Sequence, residues 1–330
     1  MRIDAYSHVV PKQYYEDFGD VYQAPAYERH PETAGLWDYE RRLEHMETFG
    51  IDKQIIALGA PHFWPGIDKY ASEETIQGLV RQANDEVREI ADEYPDHFIP
   101  VGTLPRLDEK MVDEFERCID DLDMVGIQIY SNYNGKPVDH ELLHPIYERA
   151  EANDVPIWIH PQVHDWHDWT HEYGVDLSMG WLFDTTLAIS RLVFSGLMER
   201  HPDLNVIQHH GGGLVPHFME RTKLFYEGKG EKGTFSHDIF EENHESLTKP
   251  VDEYFRQFYA DTVLYGSEPA LETVYEEYGA DQMLFATDYP YGGSEGKDFM
   301  GSNVRAMDEL DIPERDKEKI DSGNILSLIE

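Results

Sequence analysis

Short apolar segments alternate with longer amphipathic segments along this chain, and this alternation limits the fold more than any other feature. Strands that alternate with helices form parallel sheets, and eight strand–helix pairs are enough to close a barrel. The sequence therefore predicts an α/β fold, a distorted (β/α)8 TIM barrel with loop insertions, formed by a single domain over residues 1–330. The predicted strands are 2–9, 53–59, 97–104, 125–130, 155–160, 204–209, 257–263 and 283–287. The predicted helices are 38–49, 71–94, 108–122, 139–153, 183–200, 213–227, 267–279, 303–311 and 313–329.

Two stretches interrupt the alternation and are predicted to be loops. Residues 161–182 are rich in His, Asp and Trp and follow a strand, where barrel proteins carry their active-site loops. Residues 228–250 are polar and rich in Gly, Lys and Glu. We expect the first loop to line a pocket and to offer further candidate ligands. Its candidate residues are His164, His167, His171, Trp166, Trp169 and Trp181.

The chain is strongly acidic, with 66 Asp and Glu residues against 27 Lys and Arg residues and a net charge of -39. Because such a surface repels phosphate groups, neither nucleic acid nor an anionic membrane is an expected partner. The acidic residues are spread over a chain that is 40% hydrophobic, which is typical of a folded protein. We expect a halophilic protein, since high salt screens self-repulsion of this size.

Three further features favour a cytoplasmic location. The first predicted strand begins near Ile3, and no signal peptide precedes it. No apolar run is long enough to cross a membrane. The single cysteine, Cys118, excludes an intrachain disulfide and a cysteine-based metal site.

Three of the predicted strands end in residues that bind metals. On the first strand Asp4, Tyr6 and His8 alternate, so we expect all three to point to one face. His160 ends another strand, and Asp288 ends the last. The carboxyl ends of barrel strands meet at one face, so two imidazoles and a carboxylate form a plausible first set of ligands for a zinc-like ion. A single histidine at a strand end is usually structural, and the prediction therefore depends on their joint placement.

A histidine pair followed by three glycines comes after another predicted strand. Side chains alternate along a strand, so His209 and His210 are predicted to point to opposite faces, with at most one facing the site. A histidine that lies beside a metal without binding it can act as a general base. The glycines allow the backbone to approach the pocket closely.

Seven short motifs, taken in order, carry a family resemblance. The motifs are Ile3-Asp4 through His8, Trp37-Asp38-x-Glu40-x-Arg42, Gly50-Ile51-Asp52, Ile159-His160-Pro161, His210-Gly211-Gly212-Gly213, Phe258-Tyr259-x-Asp261 and Thr287-Asp288-Tyr289-Pro290. Over almost its whole length the chain resembles the amidohydrolase superfamily, in the branch of aminocarboxymuconate-semialdehyde decarboxylase. The resemblance implies a barrel that holds one divalent metal, most often zinc and sometimes manganese.

The resemblance also implies roles for individual residues. It implies that His8, His160 and Asp288 bind the metal. For a decarboxylase we also expect Asp288 to move a proton to the carbon that loses CO₂. The resemblance implies that His210 is the acid/base residue next to a metal-bound water.

Two arginines of this chain match substrate-binding arginines of the family. Arg42 matches one that grips a substrate carboxylate, and Arg221 matches one donated to the neighbouring subunit, which implies a homodimer. Tyr6 and Trp181 are expected to line the substrate pocket.

Tyr6 departs from the family pattern, in which the first strand reads His-x-His or Glu-x-His. A phenol is a poor ligand unless the ion deprotonates it. Three outcomes follow. The metal binds His8, His160 and Asp288 with more water, or Tyr6 takes part as a phenolate or through a bound water, or the metal is lost.

These residues favour a metal-dependent decarboxylase, a lyase that removes CO₂ from a small unsaturated or aromatic carboxylic acid. A hydrolase of a small amide, lactone or ester would use the same ion and base, so the sequence leaves it open. A non-catalytic barrel that has lost its metal is the third alternative. The expected partner in the first case is a small anionic substrate.

Overall fold

The computed structural model describes residues 1–22, 33–59, 67–162, 172–227 and 247–330. Within these ranges, neighbouring strands of the two main sheets are parallel, and a short antiparallel hairpin stands apart from them. The strands are β1 (Ile3–Val9), β2 (Lys53–Leu58), β3 (Phe98–Pro100), β4 (Gly102–Thr103), β5 (Ile127–Tyr130), β6 (Asn132–Tyr133), β7 (Lys136–Pro137), β8 (Ile157–His160), β9 (Val206–Gln208), β10 (Tyr259–Asp261) and β11 (Met283–Leu284).

The two main sheets, ordered β1-β2-β3 and β11-β10-β9-β8-β5-β4, form one closed ring. β3 and β4 are a single strand interrupted at Val101, whose N–H donates to the carbonyl of Ile56 at 3.0 Å. At the other seam, the N–H of Ala5 donates to the carbonyl of Phe285 at 2.8 Å, and that of His8 donates to the carbonyl of Tyr289 at 2.7 Å. With β3 and β4 counted together the ring has eight strands, so the predicted (β/α)8 barrel is confirmed.

Helices connect successive strands of the ring. No helix within the described ranges is long and apolar enough to cross a membrane. The helices are α1 (Lys12–Val21), α2 (Tyr39–Phe49), α3 (Glu73–Glu93), α4 (Met111–Glu116), α5 (His144–Ala152), α6 (Trp181–Phe194), α7 (Leu197–Arg200), α8 (Val215–Glu227), α9 (Val251–Phe255), α10 (Glu268–Tyr278), α11 (Lys297–Glu309), α12 (Glu314–Glu318) and α13 (Asn324–Ile329).

Some helices differ from the prediction. α1 and α9 were not predicted, because α1 buries only Tyr14 and Phe18, and α9 spans five residues, which is too short to show a helical period. The helix predicted at 108–122 is shorter: α4 passes into a π turn at Arg117–Asp121. α11 begins at Lys297, before the predicted start at residue 303.

The inside of the barrel is filled by small and branched side chains around one large ring. Trp158 is fully buried there, and its indole N–H donates across the barrel to the carbonyl of Ala5 at 2.9 Å. A Cβ atom on Gly126 would lie 2.3 Å from the Trp158 ring, so only glycine fits beside this ring. The core below the site is therefore tightly packed.

The first strand contains an irregularity that changes which residues face inward. The pairing of β1 with β2 shifts by one residue between Asp4 and Ser7, as in a β-bulge. Ala5 and Tyr6 both join the apolar interior as a result. The Asp4 carboxylate instead accepts hydrogen bonds from Gln54 at 2.7 Å and from the Thr287 hydroxyl at 2.5 Å. The prediction that Asp4 shares a face with Tyr6 and His8 is therefore wrong.

Candidate metal centre at the carboxyl ends of the strands

Four buried side chains from different parts of the ring meet at its carboxyl end. His8 lies near the end of β1, His160 ends β8, His209 follows β9, and Asp288 follows β11; each is at most 2% exposed. The ligand atoms of His8, His160 and His209 lie within 4.8 Å of one another. Asp288 Oδ1 lies 3.2 Å from His8 Nε2 and 3.5 Å from His209 Nε2.

The electrostatics of this cluster leave nitrogen lone pairs available at neutral pH. Burial lowers the pKa of His8, and burial together with the neighbouring imidazoles lowers the pKa of His160 well below its ordinary value. Burial would raise the pKa of Asp288, but His209 and His8 outweigh it and hold that pKa well below its usual range. Neutral imidazoles beside an ionised carboxylate are the donor set that a divalent transition metal needs.

His209 is bound to a residue to which sequence reasoning gave no role. Its Nδ1 lies 2.5 Å from Oδ2 of Asp261, the last residue of β10. The other oxygen of Asp261 accepts from the backbone N–H groups of Gly211 at 2.9 Å and Val263 at 3.1 Å. Burial opposes the charge on His209, but Asp261 and Asp288 raise its pKa to about 9. The motif that contains Asp261 was recognised in the sequence, and its spacing after a strand was the available signal.

His210 takes part in a separate hydrogen-bond chain. The Tyr265 hydroxyl donates to Asp288 Oδ2 at 3.0 Å and lies 2.9 Å from His210 Nε2. Because that hydroxyl's proton is committed to Asp288, His210 Nε2 is the donor to Tyr265 and Nδ1 carries the lone pair. Burial and the neighbouring His209 lower the pKa of His210 well below its ordinary value. No pattern in the sequence pointed to Tyr265.

Both members of the histidine pair face the site, so the prediction that at most one does is wrong. Their ring centroids lie 3.8 Å apart. The strand ends at Gln208, and His210 has a φ of 55°, which breaks the alternation on which the prediction depended. Gly211, Gly212 and Gly213 continue this left-handed turn with φ values of 60°, 81° and 63°.

Arg42 does not reach the site, which corrects the expectation that it grips a substrate carboxylate. It is fully buried, and its guanidinium donates to Gln54 Oε1 at 2.6 Å, the carbonyl of His8 at 2.7 Å and the Ser7 hydroxyl at 2.5 Å. Burial lowers its pKa to about 10. Its planar fork therefore holds the end of β1, and so His8, in place.

Four buried nitrogens in this cluster have no hydrogen-bond partner among the described residues: His8 Nδ1, His8 Nε2, His209 Nε2 and His210 Nδ1. A buried polar atom without a partner costs about 1–3 kcal/mol, so native structures rarely keep several together. A metal ion would satisfy the Nε2 atoms of His8 and His209, and the donor set of imidazole and carboxylate fits a divalent transition metal.

Comparison with known proteins identifies the family. A family model described as Amidohydrolase matches residues 3–328. The chain belongs to this amidohydrolase family. The resemblance predicted from the seven motifs is thus confirmed.

The relatives of this amidohydrolase include several decarboxylases. It is 28% identical over 299 residues to the 2-amino-3-carboxymuconate-6-semialdehyde decarboxylase of Dictyostelium discoideum, a match that covers 90% of this chain and 77% of that protein. It is also 28% identical over 306 residues to the gamma-resorcylate decarboxylase of Polaromonas sp., covering 88% of this chain and 86% of that one.

Among solved structures, the amidohydrolase is similar to 5-carboxyvanillate decarboxylase of Novosphingobium aromaticivorans. The TM-score is 0.84 at 25% sequence identity, over 100% of this chain and 96% of the other. That crystal structure holds manganese and 4-hydroxy-3-methoxy-5-nitrobenzoic acid. The expectation that zinc is the preferred metal finds no support here, because the metal of this related structure is manganese.

The remaining predicted site residues fall into three groups. Trp181, the first residue of α6, stacks on His210 with ring centroids 6.1 Å apart. Its ring centroid also lies 6.1 Å from that of His160, so Trp181 forms one wall of the site. Arg221 is exposed on α8, and its guanidinium lies over the ring of Phe225, 4.6 Å from the centroid. The third group lies outside the described residues: His164, His167, His171, Trp166 and Trp169.

A cavity of about 260 Å³ opens at the same end of the barrel. Its wall includes Gln162, two residues beyond His160, and the basic side chains of Arg106 and Lys136. Arg106 is neutralised by Asp68 at 2.6 Å and Glu73 at 2.9 Å. Lys136, at the start of β7, is the other basic group on this wall.

Proposed function

We propose that this amidohydrolase is a metal-dependent decarboxylase that removes CO₂ from a small aromatic or unsaturated carboxylic acid. The observation that carries the proposal is the cluster of His8, His160 and His209 with Asp288 Oδ1 3.2 Å from His8 Nε2, beside His210 Nδ1, which has no hydrogen-bond partner among the described residues. The relatives support the reaction, since those named above are decarboxylases of such acids.

His8, His160 and Asp288 would hold the metal. We propose manganese, because a related decarboxylase structure holds it and a carboxylate such as that of Asp288 suits it. The metal would supply a positive charge that binds the oxygens of the substrate and stabilises negative charge that develops in the reaction. The buried, packed surroundings make that charge more effective than it would be in water.

The residues around the metal can move the proton that the reaction needs. Decarboxylation leaves an electron pair on the carbon that loses CO₂, and one proton must reach that carbon. A proton taken up at His210 Nδ1 can leave from Nε2 to the Tyr265 hydroxyl, which passes its own proton to Asp288 Oδ2. Asp288 then holds a proton at the centre of the site, ready for delivery to the carbon.

A second copy of this chain is the partner that we propose. α6 exposes Phe183 at 51% and Leu187 at 42%, and α8 exposes Leu224 at 71%. The two helices are adjacent, since the ring of Phe194 stacks on that of Tyr226 with centroids 5.0 Å apart. An apolar surface of this kind on neighbouring helices, next to the exposed Arg221, suits a homodimer interface. Sedimentation of wild type and Leu224→Asp tests it: a dimer that becomes a monomer supports the proposal.

The reaction class is tested with two panels of compounds. Hydroxybenzoic and carboxymuconate-type acids are incubated with the manganese-loaded enzyme, and CO₂ is measured in the headspace. Small amides, lactones and esters are incubated in parallel, and ring opening or chain cleavage is followed by mass spectrometry. Release of CO₂ supports the decarboxylase. Cleavage without CO₂ would assign the same site to a hydrolase.

A further inference from the structure

The adjacent histidines of the site have different partners, and one of them has no assigned role. His210 belongs to the chain that ends on Asp288, whereas His209 lies between Asp261 and the centre of the cluster. We propose that His209 is a fourth protein ligand of the metal and that Tyr6 is not a ligand. This inference rests on the proposed metal-dependent function.

The spacing of the donor atoms is the first support. Ligand atoms bound at about 2.1 Å to one ion lie about 3.0 Å apart in neighbouring octahedral positions, which manganese prefers, and about 3.4 Å apart in tetrahedral positions. Asp288 Oδ1 lies 3.2 Å from His8 Nε2 and 3.5 Å from His209 Nε2. The ligand atoms of His8, His160 and His209 are also mutually within 4.8 Å, so His209, like His8, lies close to both His160 and Asp288.

The direction of His209 Nε2 is the second support. A carboxylate only accepts hydrogen bonds, so His209 Nδ1, 2.5 Å from Asp261 Oδ2, carries the hydrogen. Nε2 therefore faces the cluster, where it has no hydrogen-bond partner among the described residues. Asp261 is itself fixed by two backbone N–H groups, those of Gly211 and Val263. A carboxylate behind a ligating imidazole is the usual way in which proteins orient such a ligand.

The engagement of Tyr6 is the third support. Its hydroxyl donates to Gln128 Oε1 at 2.8 Å, and the Gln128 amide nitrogen is held by the carbonyl of Leu58 at 2.9 Å. The phenol is fully buried, and its ring packs edge-on against His209 with centroids 4.5 Å apart. Tyr6 thus acts as a wall that holds His209, with its proton already committed elsewhere. It is a positioning residue.

Manganese binding by four forms of the full-length protein tests this assignment. Wild type, Tyr6→Phe, His209→Ala and His97→Ala are stripped of metal and titrated with Mn²⁺ by calorimetry. His97→Ala is the matched control, because His97 is exposed between α3 and β3. Electron spin echo modulation of the bound Mn²⁺ then counts the coordinated imidazole nitrogens. Near-ultraviolet circular dichroism shows whether each form is folded.

We expect Tyr6→Phe and His97→Ala to bind within about threefold of wild type, with three imidazoles on the metal. His209→Ala should bind Mn²⁺ at least about 100-fold more weakly than wild type, with two imidazoles on the metal. Imidazole added to the solution should restore the third. If His209→Ala does not fold, Asp261→Asn is measured instead. This variant should bind Mn²⁺ about 10–100-fold more weakly than wild type, because Asp261 orients His209.

Three results would overturn the assignment. The first is a His209→Ala protein that binds as tightly as wild type with an unchanged nitrogen count. The second is a Tyr6→Phe protein that loses the metal. The third is a wild type that binds no Mn²⁺, which would overturn the proposed metal-dependent function as well and is thereby distinguished from the other two.

Discussion

His209 and His210 are adjacent in sequence but have different hydrogen-bond partners and different proposed roles. Their backbone leaves the strand between them, so one ring is anchored by Asp261 and the other by Tyr265. The strand ends that carry His8, His160 and Asp288 could be predicted from sequence, because apolar runs followed by polar residues mark them. The backbone turn at His210, with φ of 55°, leaves no pattern in side-chain periodicity, and so the second inward-facing histidine was missed.

The first residue-scale prediction concerns His210. His210→Asn removes the free Nδ1 that takes up the proton, so kcat should fall by about 10²–10⁴-fold. Metal content should stay at the wild-type level, because His210 is bonded to Tyr265 and is not a proposed ligand. Steady-state kinetics and plasma mass spectrometry measure the two quantities. His97→Asn is the control, and loss of metal from His210→Asn would contradict the assigned role.

The second residue-scale prediction concerns Arg42. Its expected role in substrate binding was wrong, because the burial of a side chain cannot be read from a sequence motif. Arg42→Lys should lower the free energy of unfolding by about 2–4 kcal/mol, since lysine cannot make the same forked set of buried hydrogen bonds. Arg41→Lys, next to it in α2 but paired on the surface with Glu295, should change that free energy by less than about 0.5 kcal/mol. Urea unfolding measures both. A raised KM with unchanged stability would instead restore the substrate-binding role of Arg42.

At the scale of elements, the turn from β9 into α8 couples the site to the helices. Gly213 has a φ of 63°, and a Cβ atom there would lie 2.5 Å from the carbonyl of Leu182 in α6. The same helix begins with Trp181, which stacks on His210. Strands and most helices were predictable because their hydrophobic period is regular, whereas this close approach of two backbones depends on the assembled fold.

The element-scale prediction compares two glycines of opposite character. Gly213→Ala should lower the free energy of unfolding by about 1–3 kcal/mol, because alanine strains the left-handed backbone and clashes with α6. Gly78→Ala should raise it by about 0.5–1 kcal/mol, since Gly78 lies exposed inside α3 with nothing within 4 Å of its Cβ position. Urea unfolding of both variants checks the sign. A neutral Gly213→Ala would contradict the tight packing described here.

At the scale of the whole molecule, the net charge of -39 is carried mainly by acidic side chains outside the core. The barrel was predictable from the order and number of its strands, since only a closed ring brings β11 back to β1. The charge bears on solubility and on stability, and it does not decide the fold. Ion pairs on the surface use few of the acidic groups, because 66 of them face only 27 basic residues.

Salt should therefore stabilise this protein. The screening length falls from about 10 Å at 0.1 M to about 3 Å at 1 M salt, which weakens the mutual repulsion of the acidic surface. We expect the melting temperature to rise by at least about 5 °C between 0.1 M and 2 M KCl, a few kcal/mol for a chain of this size. Differential scanning calorimetry measures it, with glycerol at equal osmolality as the control. An unchanged or lower melting temperature in KCl would contradict the halophilic expectation.

The dependence of CO₂ release on the metal tests the central claim most directly. An aromatic acid labelled with ¹³C in its carboxyl group is given to enzyme that has been stripped by a chelator, and to the same sample after Mn²⁺ is restored. Labelled CO₂ is measured in the headspace. We expect labelled CO₂ only from the manganese-loaded wild type, and none from His160→Ala. Equal release with and without metal would contradict the proposed metal-dependent decarboxylase. So would the absence of release from a sample that binds Mn²⁺ and is given the full panel of acids.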